Sequence, residues 1–226
     1  MTTGTDSPRF FVPVLRMLLG MNRFLLRQSP AAFETHRLIL EKISLEHAEP
    51  LCEAAQRSRD NWSFIDWAHQ SHWTPARARD FCRITRHAME RDATVLSYMV
   101  FERPERRAHA LGRGRFVGMI DLHSFDTSTS RCQLGYVADV AMQGRGLMRE
   151  AVQAVMDQAE ALGMGRFEVW CDTRNVRSIR LAERLGFERE GVLRAAVQLD
   201  GRSVDQMILA RRATSMGQQG PLRSLQ

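Results

Sequence analysis

Residues 142–151, MQGRGLMREA, restrict what this chain can fold into more than any other stretch. Two glycines flank Arg145, and a strand-like run over 131–140 ends just before them. An apolar helical stripe then begins at once, with Leu147, Met148, Ala151, Val152, Val155, Met156, Ala159 and Leu162 at helical spacing. The first N–H groups of a helix have no partner inside it and lie at the positive end of its dipole. Glycines beside them let a diphosphate lie against several amides, here those of Gly144, Arg145, Gly146, Leu147 and Met148. The stretch lacks the G-K-[ST] of a P-loop, and Arg149 stands where G-x-G-x-x-G needs glycine. On spacing alone, a plain tight turn competes with the phosphate reading.

The rest of the chain supplies the sheet around this turn. RLILEKI (37–43) reads as a first strand, and Ser44 as the cap of a helix reaching about Ser58. Thr74-Pro75 opens a second helix running to about Arg91. Strands follow at 94–102, 116–125 and 131–140, with a charged loop over 102–115. After the helix from Leu147, GMG (163–165) is the stop, 166–171 a buried strand and 176–187 a short helix. Asp200-Gly201 marks a closing hairpin. The order is β-α-α-β-β-β-α-β-α-β-β, a mixed α/β domain over 34–212, with an extension over 1–33 and a flexible tail over 213–226.

Net charge is +6, nearly all of the basic side chains are arginine, and Lys42 is the single lysine. Without an RNA- or DNA-binding motif, that charge does not make nucleic acid a direct substrate. The 4 cysteines form no C-x-x-C pair, and the 7 histidines no metal spacing, so no metal is expected and a reducing, cytoplasmic setting is. The basic amphipathic run over 10–27 is interrupted by Arg16 and short of the ~20 apolar residues of a spanning helix. Packing on its own domain is favoured over peripheral contact with a membrane.

Gln143-Gly144-Arg145-Gly146-Leu147-Met148 resembles the [QR]-x-x-G-x-[GA] signature of the GNAT acyl-CoA N-acyltransferases, with Met148 in place of the final small residue. Three further features, the first made of two segments, resemble the RimJ/RimL-type branch of that family, in the same order. They are ETHRLIL (34–40) with NWSFIDWA (61–68), NVRSIRLAERLGFEREG (175–191), and DGRSVD (200–205). The resemblance implies a GNAT fold: one mixed, mostly antiparallel sheet flanked by helices, splayed between its fourth and fifth strands, here 131–140 and 166–171. It implies acetyl-CoA as cosubstrate, with the pantetheine arm along Val137, Ala138 and Val140 and the diphosphate on Gln143 to Met148. Arg145 and Arg149 are placed to meet phosphate, although Arg149 also reads as a solvated helix face.

By the same resemblance, Asn175 anchors the cosubstrate or an ordered water and Ser178 donates to the sulfur, while Asn175 is equally a helix cap. The sixth-strand acidic residue that some enzymes of the branch carry is missing, since Val197 of LRAAVQL (193–199) stands about where it would be. Asp139 and Asp121 are the preferred bases, ahead of Glu168, Asp172 and His123. The acceptor implied is a primary amine, first the α-amine of a protein or peptide, with a small-molecule amine as the alternative. A CoA-binding module without turnover is a third reading. The aromatic residues Trp62, Phe64, Trp67, His69, His72 and Trp73 line the acceptor cleft or belong to the core. The arginines of 102–115 meet an anionic partner or only solvent. Either a monomer or a homodimer is compatible with these readings.

Overall fold

A computed structural model gives the structure of the chain, describing residues 24, 26–65, 68, 72–104 and 113–214. Eight strands form one sheet: β1 (Ala32–Glu34), β2 (Leu38–Lys42), β3 (Val95–Glu102), β4 (Phe116–Asp126), β5 (Arg131–Ala138), β6 (Arg166–Asp172), β7 (Glu188–Leu199) and β8 (Arg202–Arg212). Their spatial order is β1-β2-β3-β4-β5-β6-β8-β7, and every neighbouring pair is antiparallel except β5 and β6. Helices α1 (Ala48–Arg57), α2 (Pro75–His87), α3 (Leu147–Ala161) and α4 (Val176–Arg184) pack around it.

Local chemistry accounts for most of these boundaries. Thr74 caps α2 by accepting the Arg77 N–H at 3.2 Å, with Pro75 in the first turn. Asp200 and Gly201 both take positive φ, as a two-residue hairpin turn of type I′ demands. The α3 stripe buries Leu147, Ala151, Val152, Val155, Met156 and Ala159, and each large side chain removed from water contributes about 1.5–3 kcal/mol.

Some elements differ from the sequence expectation. The short strand β1, preceding the expected first strand, pairs with β2. The helix expected from Ser44 begins as a short 3₁₀ turn (Leu45–His47) before α1. The expected α2 end near Arg91 is a π-helical turn over Ala88–Asp92, closed by Ala93 at φ 54°. Of the N-terminal run, residues 26–28 are helical and Leu26 lies in the core. Residues 1–23 and 25, the loop at 105–112, the tail from 215, Trp67 and His69 lie outside the described residues. Among the described residues no helix is long and apolar enough to cross a membrane.

Candidate functional site

The sheet opens where its parallel seam fails. β5 and β6 pair at Arg131–Arg166, Cys132–Phe167 and Gln133–Glu168, and then part. Glu168, 3% exposed, sits at the last paired position and ties the fork together. Its carboxylate accepts from Arg166 Nε (2.9 Å), Trp170 Nε1 (3.0 Å) and Arg131 Nη1 (3.3 Å). Burial alone would raise its pKa, but these donors and the Arg131 charge hold it below the ordinary carboxylate range.

Strand parity then decides which backbone groups face the gap. The Asp139 N–H donates to Val117 O at 2.9 Å, so Gly135 and Val137, of the same parity, direct their main-chain groups to β4. Leu134, Tyr136 and Ala138 direct theirs toward the gap. Two of the groups expected along the pantetheine arm already have partners: Ala138 O accepts from Trp62 Nε1, and the Val140 N–H donates to Ser58 Oγ, both at 2.9 Å. The residue 58–62 segment thus closes the far end of the fork. Trp62 and Trp73 are 2% and 7% exposed and meet edge-to-face, so both are core residues. Phe64 is half-buried and His72 exposed.

Beyond β5, a 3₁₀ turn (Val140–Met142) leads into the glycine turn. Gly144 and Gly146 have φ of 77° and 73°, where a side chain is strained, and Gly146 caps α3. Among the described residues, none accepts the N–H groups of Gly144, Arg145, Gly146, Leu147 or Met148. Leu147 is buried, and half-buried Met148 packs against the core.

The turn is clasped from the other edge of the sheet. Arg37 Nη1 donates to Arg145 O (2.9 Å) and Arg37 Nε to Glu150 Oε2 (2.6 Å). Glu150 Oε1 accepts from Thr35 Oγ1 (2.5 Å) and from the Arg37 N–H (2.9 Å). Burial opposes ionisation of Glu150, yet the Thr35 and Arg37 donors hold its pKa below the usual value. Thr35 and Arg37 belong to ETHRLIL, so that motif acts as a brace for the turn, a role the sequence reading did not assign. The Arg145 guanidinium is paired with Glu102 Oε1 at 2.5 Å, while Arg149 is exposed. Gln143 Oε1 accepts from Arg177 Nη1 (3.0 Å), which also donates to Asn61 Oδ1.

Across the gap, Asn175 caps α4 by accepting the Ser178 N–H at 3.1 Å. Ser178 Oγ lies 3.0 Å from Tyr136 Oη, which donates to Ser178 O at the same distance. Tyr136, absent from the sequence reading, therefore links β5 to α4. Burial pushes its pKa up, with the Ser178 hydrogen bond acting the other way. Burial also pushes the Cys171 thiol up to about 11, with a Ser178 hydrogen bond opposing.

The expected bases sit in unlike places. Asp139 is 2% exposed and doubly engaged: Arg57 Nη2 donates to one oxygen (2.7 Å), the Ala141 N–H to the other (2.9 Å). Asp172 accepts from Arg174 Nη2 at 2.6 Å. Asp121 is flanked by His123 at 3.6 Å and lies over Gly135. Val197 is on β7, the outer strand of the sheet, beyond a bulge between Leu193 and Val197. Among the described residues no cluster of His, Cys, Asp and Glu suits a metal.

The arrangement matches known proteins. The acetyltransferase (GNAT) domain profile aligns with residues 37–188. The uncharacterized N-acetyltransferase p20 of Bacillus licheniformis is 29% identical over 177 residues, covering 76% of this chain and 90% of that protein. The ribosomal-protein-serine acetyltransferase of Escherichia coli (strain K12) is 30% identical over 96 residues, 42% of this chain and 54% of its own. In fold, the chain is similar to the microcin C7 self immunity acetyltransferase MccE, solved in complex with acetyl-CoA and AMP. The TM-score is 0.71 at 21% identity, covering 81% of this chain and 97% of that one.

Proposed function

The chain belongs to the acetyltransferase (GNAT) domain family, and on that premise we propose that it moves an acetyl group from acetyl-CoA to a protein or peptide N-terminal α-amine. The observation that carries the cosubstrate assignment is the pairing of a forked β5–β6 seam with a glycine turn whose amides have no acceptor among the described residues. A diphosphate satisfies those amides and the helix dipole together. The main-chain groups of Tyr136 and the N–H of Ala138 face an amide-bearing arm in the gap. Acetyl-CoA supplies an acyl carbon already activated as a thioester. Ser178 and Tyr136 offer a hydroxyl pair beside the gap, suited to receive a developing thiolate. The acceptor assignment rests on the ETHRLIL segment and on the likeness to the ribosomal-protein-serine acetyltransferase.

Titration calorimetry with acetyl-CoA tests the first half, and saturable binding is expected. For the second half, protein, acetyl-labelled CoA and a bacterial lysate are incubated and the label is separated by size. Label on polypeptide amino termini supports the reading. Label confined to small molecules replaces it with a metabolite acceptor, and binding without transfer leaves a CoA-binding module.

A further inference from the structure

Four carboxylates border or back the fork, and arginine neutralises three of them. Asp139 is held by Arg57 (2.7 Å), Asp172 by Arg174 (2.6 Å) and Glu168 by Arg166 (2.9 Å). Asp121 differs, because among the described residues no arginine or lysine pairs with it, and its ionic neighbour is His123 at 3.6 Å. A carboxylate locked to arginine is a poor proton acceptor, so only Asp121 of the four is free to act as one.

The position of Asp121 is equally distinctive. Ladder pairing places Ser97 of β3, Asp121 of β4 and Gly135 of β5 in one row on one face of the sheet. A Cβ at position 135 would stand 2.8 Å from Asp121 Oδ1 and 3.2 Å from Oδ2. The carboxylate thus occupies the volume a side chain of β5 would fill, and β5 is one wall of the gap. It is half-buried, with 21% of its side-chain surface open. On its other side, the Ser97 hydroxyl is buried and has no hydrogen-bond partner among the described residues. Tyr136, the next residue along β5, points to the opposite face and meets Ser178. Proton-accepting and proton-donating groups therefore lie on opposite faces of the strand that lines the gap.

We propose that Asp121 is the general base of the transfer, taking a proton from the acceptor ammonium over the bare backbone of Gly135, with His123 and Ser97 as its flanking groups. This rests on the acetyl-transfer reading above. The amine nitrogen bonds to the acyl carbon while the C–S bond breaks, leaving its electron pair on sulfur. Of the two protons the nitrogen loses, one goes to Asp121 and then to solvent, and the other neutralises the thiolate. Burial pushes the Asp121 carboxyl above its ordinary range, with His123 opposing, which narrows the gap to an α-ammonium.

The test compares the wild-type protein with Asp121→Asn on two nucleophiles: a short peptide beginning with serine, and hydroxylamine, which is already unprotonated at neutral pH. For the peptide, kcat in Asp121→Asn is expected to fall about 100-fold. Acetyl-CoA affinity by calorimetry should hold, and the residual rate should climb about tenfold per pH unit until the amine is free. With hydroxylamine the deficit should shrink to less than about threefold, which a merely structural lesion cannot produce. Equal losses on both nucleophiles, or a peptide rate near wild type, overturn the proposal. Should Asp121→Asn fail to fold, Gly135→Ala, whose methyl crowds Oδ1, must show the same selective loss. A wild type that binds acetyl-CoA but acetylates neither nucleophile also overturns it, leaving the cosubstrate assignment standing. Absence of acetyl-CoA binding by the wild type instead removes the transfer reading itself.

Discussion

Gly146 carries two demands at once: a φ of 73° and an N–H at the mouth of α3. Gly146→Glu adds backbone strain of about 1–2 kcal/mol and a negative charge where a diphosphate is proposed to lie. Acetyl-CoA affinity by calorimetry should weaken at least about tenfold, the equivalent of 1.4 kcal/mol. Unchanged affinity would move the cosubstrate elsewhere. Arg37 acts one step behind the turn, holding Arg145 O and Glu150 in place. It is 44% exposed, so its ion pair contributes only about 0.2–1 kcal/mol to stability. The expected effect of Arg37→Ala is therefore kinetic, a severalfold rise in KM for acetyl-CoA with little change in kcat. A fall in kcat at constant KM would contradict this. The glycines were legible in the chain, but Arg37 was not, because its partner Glu150 lies 113 positions away. Asp139 was legible as a candidate base, but its partner Arg57, 82 positions away, was not.

The entry to α1 is built on one neutral imidazole. His47 is 1% exposed, its Nδ1 accepts the Ser44 N–H (3.0 Å), and its Nε2 therefore carries the proton toward Glu41 Oε2 (3.0 Å). Burial lowers its pKa, the Arg113 charge adds to that, and the Glu41 hydrogen bond only partly opposes. Above the unfolded value of 6.5 both states hold neutral histidine and this contribution is complete. As pH falls below 6.5 the unfolded chain takes up the proton first, and stability is lost toward the lower folded pKa. Urea unfolding midpoints should drop between about pH 7 and pH 5, and His47→Gln should flatten that slope. Equal slopes would assign the acid sensitivity to other groups. At this scale the strongly patterned elements, α3 above all, were readable from periodicity. β1 was not, being three residues of Ala-Phe-Glu with no alternation to display. The bulge in β7 was not either, since it depends on Asp205 accepting the Ala195 N–H across the hairpin (2.8 Å).

The whole domain consists of two sheet segments, β1 to β5 and β6-β8-β7, joined by three residue pairs at Gln133–Glu168 and below. A ligand seated in the fork bridges them, so acetyl-CoA at about 100 times its Kd should add about 2.7 kcal/mol to unfolding. Hydrogen exchange should slow at Tyr136, Ala138 and the amides of 144–148, and far less in β1 to β3. Uniform protection would place the ligand outside the fork. The family, the mixed and mostly antiparallel sheet and its fork were legible because the glycine turn and three further features in order carry them. The choice between the candidate bases Asp139 and Asp121 was not, since the setting of Asp121 depends on which residue it faces across a ladder. Lys42 has a last consequence. Its ammonium is donated to Leu26 O and Ser29 O, both at 2.8 Å, and it is the chain's single lysine. A catalyst that activates acetyl groups for amines has almost disarmed its own surface as a target: apart from an amino terminus, self-modification of a lysine is limited to one sequestered site, and background labelling of the enzyme should be nearly silent.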